Sequence, residues 1–306
     1  VENCQCRPRD SRVTVVFVSH NSSRDLARAL DSLRRSAAGG AVRILVVENG
    51  AEAAAARAVC DRSGAELVVP GRNLGYGPAA NQAAGVVTSE YLAVANPDVV
   101  FGPETLRELA DFLDRHPDAG VVAPQLVYPD GSPQPSARRR PGLRYLLAGR
   151  RSPLARLRRR PSRAAREFQY LGSEAAVEPL AVDAVVGCFM LFRRRAFEEV
   201  GGFDPGYFMF AEDIDICLRL APRWRVYLLP FSRLVHVVGA SRRRARSFTE
   251  FHRVRSLRRL FRRSHARALG PLIDLLFAGY LACLLATGLV GLGEHEHSWQ
   301  MRRAGR

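Results

Sequence analysis

Residues 13–36 read VTVVFVSHNSSRDLARALDSLRRS, and the change of pattern halfway through this stretch decides the fold. Val13–Val18 is a continuous β-branched and aromatic run, the signature of a strand buried on both faces. Asn21, Ser22 and Ser23 are candidate helix caps, and a helical pattern follows to residue 36. The same unit recurs outward along the chain. Apolar runs lie at Val42–Val47, Glu66–Val69, Tyr91–Ala95 and Gly120–Ala123, with helices predicted at about 51–63, 77–88 and 103–115. Gly102-Pro103 opens the last helix, where proline suits the first turn. The alternation predicts an α/β fold, a mostly parallel, Rossmann-like sheet with helices on both faces.

Ligands of such sheets bind beyond the carboxyl ends of the strands. The residues there are Ser19-His20-Asn21, Glu48-Asn49-Gly50, Gly71-Arg72-Asn73-Leu74-Gly75 and Asn96-Pro97-Asp98. Any one of these is ordinary turn chemistry, since Asn, Asp, Gly and Pro dominate turns for conformational reasons. Four together predict one polar pocket.

The net charge is +16 and lysine is absent, so all 46 basic residues are arginine. Guanidinium clusters suit phosphate, which makes nucleotide diphosphates, anionic lipid headgroups and nucleic acid the candidate partners. A hydrophobic content of 47% excludes general disorder. The cysteines (Cys4, Cys6, Cys60, Cys188, Cys217, Cys283) lack the paired spacing of a zinc site or a disulfide framework and read as reduced thiols. Residues 1–11 are expected to be a disordered tail without an apolar signal segment, which keeps the catalytic body in the cytoplasm. A main domain is predicted over 12–246, interrupted at 132–166 by a mobile Arg-rich insert.

Past the insert, Val182–Phe192 is strongly apolar around Gly187, and Gly201-Gly202-Phe203-Asp204 follows a short helix. Phe208-Met209-Phe210-Ala211 then leads to Glu212-Asp213-Ile214-Asp215 at the start of a helix ending near Leu220. The helix dipole explains one or two acids there; three suggest a site. Trp224–Leu229 and Arg233–Val238 read as two further strands, with His236 near the end of the second. Residues 247–306 are predicted to form a basic amphipathic helix followed by an apolar tail helix, in which Leu275–Leu292 is uncharged for 18 residues. That length is the lower limit of a membrane span, so a peripheral helix and a single C-terminal span are both expected possibilities at the cytoplasmic face of an anionic membrane.

The ordered set Val13–Asn21, Val46–Gly50, Asn73-Leu74-Gly75 with Asn81, Asn96-Pro97-Asp98, Gly187–Phe192, Gly201–Asp204 and Glu212–Asp215 resembles family 2 glycosyltransferases of the GT-A fold, most closely their rhamnosyltransferase branch. The resemblance spans about residues 12 to 262. It implies inverting transfer of a sugar, with L-rhamnose the leading candidate, from a dTDP- or UDP-sugar to a lipid-linked or polysaccharide acceptor, with Mg2+ or Mn2+ as cofactor. It implies a nucleotide site at Ser19, Asn21, Glu48, Asn73, Gly75, Asn81 and Asn96, with Glu48 where the family usually has an aspartate that contacts the base. Asp98 and His236 would be the metal contacts, with Asn96 replacing the first acid of the family's Asp-x-Asp pair. Asp213 would be the base, supported by Glu212 and Asp215, and Tyr207, Phe208 and Phe210 are candidates to stack on a sugar. The residue types suit this chemistry. A departing nucleoside diphosphate gathers charge that a hard cation neutralises, and an attacking hydroxyl needs a base within hydrogen-bond reach.

Two other readings compete. A nucleotidyltransferase would show a Gly-rich phosphate loop after Val18, and none is present. A nucleic-acid-binding protein would account for the arginines, but strand-end acids would repel phosphate, so nucleic acid is not an expected partner.

Overall fold

The computed structural model describes residues 11–36, 42–142, 167–170, 176–237 and 246–286. The predicted tail at 1–11, most of the insert (143–166) and residues 287–292 of the uncharged run lie outside or almost outside these residues.

The parallel strands β1 (Val13–Ser19), β2 (Val42–Glu48), β3 (Glu66–Val68) and β4 (Tyr91–Ala95) form one half of the main sheet. The other half adds β5 (Val99–Phe101), β6 (Ala119–Val127), β8 (Leu180–Ala181), β10 (Phe189–Arg193) and β11 (Arg225–His236). The order is β3-β2-β1-β4-β10-β6-β11-β5, with β8 also pairing β11. β10 runs antiparallel to both β4 and β6, joining the two halves. A separate ribbon pairs β7 (Ala137–Arg138) with β9 (Ala184–Val185).

Alternate side chains of β1 go to opposite cores, which explains its unbroken apolar run. Val15 and Phe17 pack with α1 (Ser23–Ser36), α2 (Ala53–Ser63) and α4 (Thr105–Arg115). Val16 and Val18 pack with α3 (Tyr76–Ala84), α5 (Arg194–Glu199) and α6 (Glu212–Leu220). Helix α1 buries Leu26, Ala29, Leu30 and Leu33, the spacing of one helical face.

The structure corrects several expectations. The two predicted strands around Pro230 are one strand, β11, whose pairing with β6 slips between Leu229 and Arg233. A bulge accommodates a residue that has no N–H for the ladder. Strand β5 was not predicted, because three residues carry no readable period. The insert does not begin as a loose loop. Gln134, Ser136 and Ala137 are buried, and Val127 bridges Pro133.

The basic helix is α7 (Arg246–Ser264), and the tail helix is α8 (Gly270–Ala286). They pack through Val254, Phe261, Ile273 and Phe277. Among the described residues no helix is long and apolar enough to cross a membrane, so the expected C-terminal span is not supported. Much of the basic charge of α7 is met internally. Arg259 and Arg263 pair with Asp204, Arg258 and Arg262 with Asp274, and Arg253 with Glu250.

Candidate active site

Parallel register sets Ser19 beside Glu48 at the ends of β1 and β2. Ser19 Oγ donates to Glu48 Oε2 at 2.7 Å, and Glu48 Oε1 accepts from the backbone N–H of Asn21 (3.0 Å) and Gly50 (2.9 Å). Glu48 is only 1% exposed, so it is the bracket behind both turns and not an open contact for a base. Asn21 adopts a left-handed φ of 52°, and its Oδ1 accepts from Ala51 N at 2.7 Å. Gly50 is required here: a Cβ would lie 2.6 Å from Asn21 Oδ1.

Asn49 builds the next wall. Its Nδ2 donates to Asn73 Oδ1 and the Gly75 carbonyl, while its Oδ1 accepts from Leu74 N. At Gly75, φ is 86° and a Cβ would fall 2.4 Å from the Phe208 carbonyl oxygen. The glycine therefore admits the 207–211 loop, whose Phe208 carbonyl accepts from Tyr76 N at 2.9 Å. Asn81 is also committed to the frame. Its amide exchanges two hydrogen bonds with the Phe203 backbone, at 2.7 and 2.9 Å.

Asn96-Pro97-Asp98 links β4 to β5, and β11 brings His236 to it. Asp98 Oδ2 lies 3.6 Å from His236 Nε2, and Asp98 Oδ1 is buried without a hydrogen-bond partner. His236 is 4% exposed, and its Nδ1 is 2.9 Å from Gln134 Oε1. Gln134 Nε2 donates to the carbonyls of Val127 (3.2 Å) and His236 (2.8 Å), which fixes the amide orientation. His236 Nδ1 must then be the donor to Gln134, and its Nε2 is the ring atom that faces Asp98. Gln134 had been assigned to the loose insert, and only its tertiary partners reveal its role. Asn96 is held by its own N–H, which donates to the Cys188 carbonyl at 2.9 Å.

Cys188 and Gly187 connect this end to the acidic helix. Cys188 Sγ is 3.5 Å from His236 Nε2, and Gly187 N donates to Asp213 Oδ2 at 2.9 Å. Asp213 Oδ1 accepts from Ile214 N at 2.8 Å. A side chain at position 187 would press on Asp213, its Cβ 3.0 Å from that of the aspartate. Tyr76, absent from the sequence prediction, donates from its hydroxyl to the Gly187 carbonyl at 2.9 Å. Burial raises its pKa well above the ordinary value, with Glu212, Cys188, Asp213 and Asp98 adding to the effect.

Phe210 and Ala211, with φ of 65° and 67°, aim the acidic helix. Two successive non-glycine residues in this conformation store strain, which concentrates at functional sites. Glu212 is 7% exposed with Oε2 unpartnered, and burial, then the neighbouring Asp213 charge, pushes its carboxyl up to about 8. Burial also raises Asp213, against the lowering effect of the Gly187 and Ile214 N–H groups. Asp215 does not join them. It lies about 200° round the helix from Asp213, accepting from the Tyr207 hydroxyl at 3.1 Å and Arg219 Nε at 2.7 Å. Tyr207 is fully buried and cannot stack on a sugar. Phe208 instead packs its ring against Phe248 and His252 of α7.

A family model described as glycosyl transferase family 2 matches residues 14–201. Over 237 residues the chain is 34% identical to the N-acetylglucosaminyl-diphospho-decaprenol L-rhamnosyltransferase of Mycobacterium tuberculosis, covering 72% of this chain and 75% of that protein. A shorter similarity, 44% identity over 64 residues, covers 21% of this chain and 24% of rhamnosyltransferase WbbL of Escherichia coli. The mannosyltransferase PcManGT from Pyrobaculum calidifontis, solved with GDP-Man and Mn2+, superposes with a TM-score of 0.57 at 17% identity, covering 97% of this chain and 80% of that one. S. aureus TarS 1-349 gives 0.52 at 15% identity, covering 90% and 72%. The last two show the fold alone, and that fold is GT-A. The nucleotidyltransferase reading gives way to these matches: with strand ends, acidic helix and sequence in agreement, the chain belongs to glycosyl transferase family 2.

Proposed function

We propose that the enzyme transfers L-rhamnose, from a dTDP-linked donor in preference to a UDP-linked one, to a sugar carried on a lipid diphosphate. The observation that supports this site most directly is the pair Gly187-Cys188, which ties Asp213 to one side and the Asp98–His236 pair to the other. The acceptor class is suggested by the name of the mycobacterial relative.

In this reading Asp213 is the base. It removes the proton of the acceptor hydroxyl as that oxygen bonds the anomeric carbon, and the bond from that carbon to the nucleoside diphosphate breaks with inversion. Glu212, neutral below about 8, keeps a second charge away from Asp213. Asp215, fixed to Arg219, supports the helix and not the acceptor. Asn21, Asn73 and Asn96 line the donor side, with Ser19, Glu48, Gly75 and Asn81 shaping it from behind.

The orphaned Asp98 Oδ1 and the adjacent ring nitrogen Nε2 of His236 fit a divalent cation. Among the described residues no three metal-ligating side chains converge, which suits Mg2+ or Mn2+ whose other ligands are water and diphosphate oxygens. Such an ion would supply neutralising charge to the departing diphosphate.

The enzyme would act peripherally at the cytoplasmic face of the membrane. Leu272 and Leu275 of α8 are exposed (45% and 70%), as are Arg255 and Arg267, and Cys60, Cys188 and Cys217 are buried free thiols suited to a reducing compartment.

A thermal-shift screen of nucleotide sugars with and without Mn2+ tests the donor assignment. Stabilisation by dTDP compounds that depends on the metal is expected. A shift confined to other nucleotides would reassign the donor, and no shift with any nucleotide would overturn the reading of the site.

A further inference from the structure

We propose that Tyr76 is a positioning residue for the transfer step, fixing the Asp213 carboxylate by gripping both the loop that leads into Asp213 and the glycine that hydrogen-bonds to it. The proposal rests on Asp213 as the base, the reading made above.

Tyr76 is the first residue of α3, directly after Gly75. The Gly75 carbonyl accepts from Asn49 Nδ2, which also donates to Asn73 Oδ1, so the chain entering Tyr76 is fixed to the end of β2. From there the residue makes two bonds in different directions. Its N–H donates to the Phe208 carbonyl at 2.9 Å, in the loop that precedes the acidic helix. Its hydroxyl donates to the Gly187 carbonyl, also at 2.9 Å, and the Gly187 N–H donates to Asp213 Oδ2. The donor loop and the base therefore share one support.

Gly187 is where such a grip is needed. On one side the Val186 N–H donates to the Ser136 carbonyl, and on the other the Cys188 carbonyl accepts from the Asn96 N–H, both at 2.9 Å. Gly187 is the joint between these anchors. Its close approach to Asp213, where a Cβ would lie 3.0 Å from that of the aspartate, favours glycine, and glycine is the residue with the most backbone freedom to lose. The Tyr76 hydroxyl, bonded to the carbonyl of that joint, restricts it and so sets the direction of the N–H that meets Asp213.

The hydroxyl is itself held in place. The Tyr76 ring meets Phe203 edge to face with centroids 6.3 Å apart, and α3 lies so close that a Cβ on Gly77 would be 2.8 Å from that of Phe203. Phe203 is in turn fixed through its backbone by Asn81. Burial keeps the Tyr76 pKa well above the ordinary value, so the hydroxyl retains its proton and remains a donor at neutral pH. Phenylalanine at this position would keep the ring contact and the N–H bond to Phe208, and lose the bond to Gly187.

The test is Tyr76→Phe in the full chain, assayed with dTDP-L-rhamnose, Mn2+ and N-acetylglucosaminyl-diphospho-farnesol. Loss of one neutral hydrogen bond should lower kcat about three- to tenfold, with KM for both substrates kept within about twofold. The acid limb of the pH profile should move upward, because a loosened Gly187 N–H stabilises the ionised Asp213 less. The ionisable groups that act on Asp213, Glu212, Arg138 and Cys217 among them, keep their places in the variant. Incorporating 4-aminophenylalanine at position 76, which restores a donor, should recover both kcat and the acid limb. In an Asp213→Asn background Tyr76→Phe should cost no further kcat, as for residues that act as a unit. A lower melting temperature with kcat and the acid limb unchanged would make Tyr76 a packing residue and overturn the proposal. So would a raised KM with kcat kept, which marks a substrate contact, or an equal fall in kcat in the Asp213→Asn background. The 13C titration of the Asp213 carboxyl, assigned by its loss in Asp213→Asn, reads the positioning without turnover, and an unmoved titration in Tyr76→Phe overturns it. If that titration moves upward while Asp213→Asn keeps full activity, the positioning stands and the base assignment proposed above falls.

Discussion

Glu212 and Asp213 are neighbours in sequence, and their surroundings give them different work. Asp213 receives two backbone N–H groups, which stabilise its charged form, whereas Glu212 Oε2 is buried with none. Asp213→Asn should therefore reduce kcat by a factor on the order of a thousand, with donor affinity kept; retention of most turnover would remove its assignment as base. Glu212 titrates in the opposite sense from a paired carboxylate. Its folded pKa, about 8, is above the unfolded value, so its contribution to stability is complete at low pH and is lost as pH rises from about 4.5 to about 8. Glu212→Gln removes that loss. Its melting temperature should match the wild type at pH 4 and exceed it by a few degrees at pH 8, and an equal difference at both values would exclude the buried carboxyl as the cause.

Gln134 shows what the sequence withheld at this scale. Asp98 and Asp213 stand out as candidates because each lies at a strand end or helix start, positions readable from local order. Gln134 and Tyr76 act only through partners far along the chain: Gln134 is 102 residues from His236, and Tyr76 is 111 from Gly187. No local pattern encodes such distances. Conversely, Glu48, Asn81 and Asp215 were drawn into the site because their positions are polar and near it, but their hydrogen bonds are spent on the frame. Gln134→Leu removes the partner that sets the His236 tautomer and should weaken Mn2+ binding about ten- to a hundredfold, read directly by electron paramagnetic resonance of the free ion. Unchanged affinity would detach His236 from the metal assignment.

At the scale of elements, α7 is a clamp on the loop that leads into Asp213. Arg259 and Arg263 hold Asp204, and Ser256 Oγ donates to the Met209 carbonyl at 2.8 Å, one residue before the left-handed pair Phe210-Ala211. Burial alone would raise the pKa of Asp204, but the Gly206 N–H and the guanidinium of Arg259 together hold it below the usual range. The stability it contributes is therefore present above pH 4 and lost as pH falls through its folded pKa. Both arginines are more than two-fifths exposed, so Asp204→Ala should cost only about 1 kcal/mol of stability. It should nevertheless lower kcat more than it raises donor KM, because the strained turn loses one of its supports. A normal kcat would show that α7 merely packs. The parallel strands were readable from apolar runs, and the basic helix from its arginines. Its acidic partners were not, since Asp204 and Asp274 lie in other elements.

At the scale of the whole molecule, that internal pairing changes how the net charge of +16 is to be understood. A helix expected to offer its arginines to lipid instead uses five of them on Asp204, Glu250 and Asp274. What faces outward from the C-terminal helix pair is a mixed edge, with Leu272 and Leu275 on α8 and Arg255 and Arg267 nearby in sequence. Burying such leucines in an interface favours binding by roughly 1.5–3 kcal/mol each, more than a surface arginine gains from an anionic headgroup. The apolar positions should therefore dominate attachment. Leu272→Glu with Leu275→Glu should release the full chain from phosphatidylglycerol vesicles at any ionic strength, without lowering its melting temperature, because Ile273 and Phe277 carry the packing against α7. Arg255→Gln should weaken sedimentation only at low salt, where exposed charge is least screened. If the double glutamate variant still sediments while Arg255→Gln does not, electrostatic attraction holds the enzyme at the membrane and α8 is a packed helix with no lipid face.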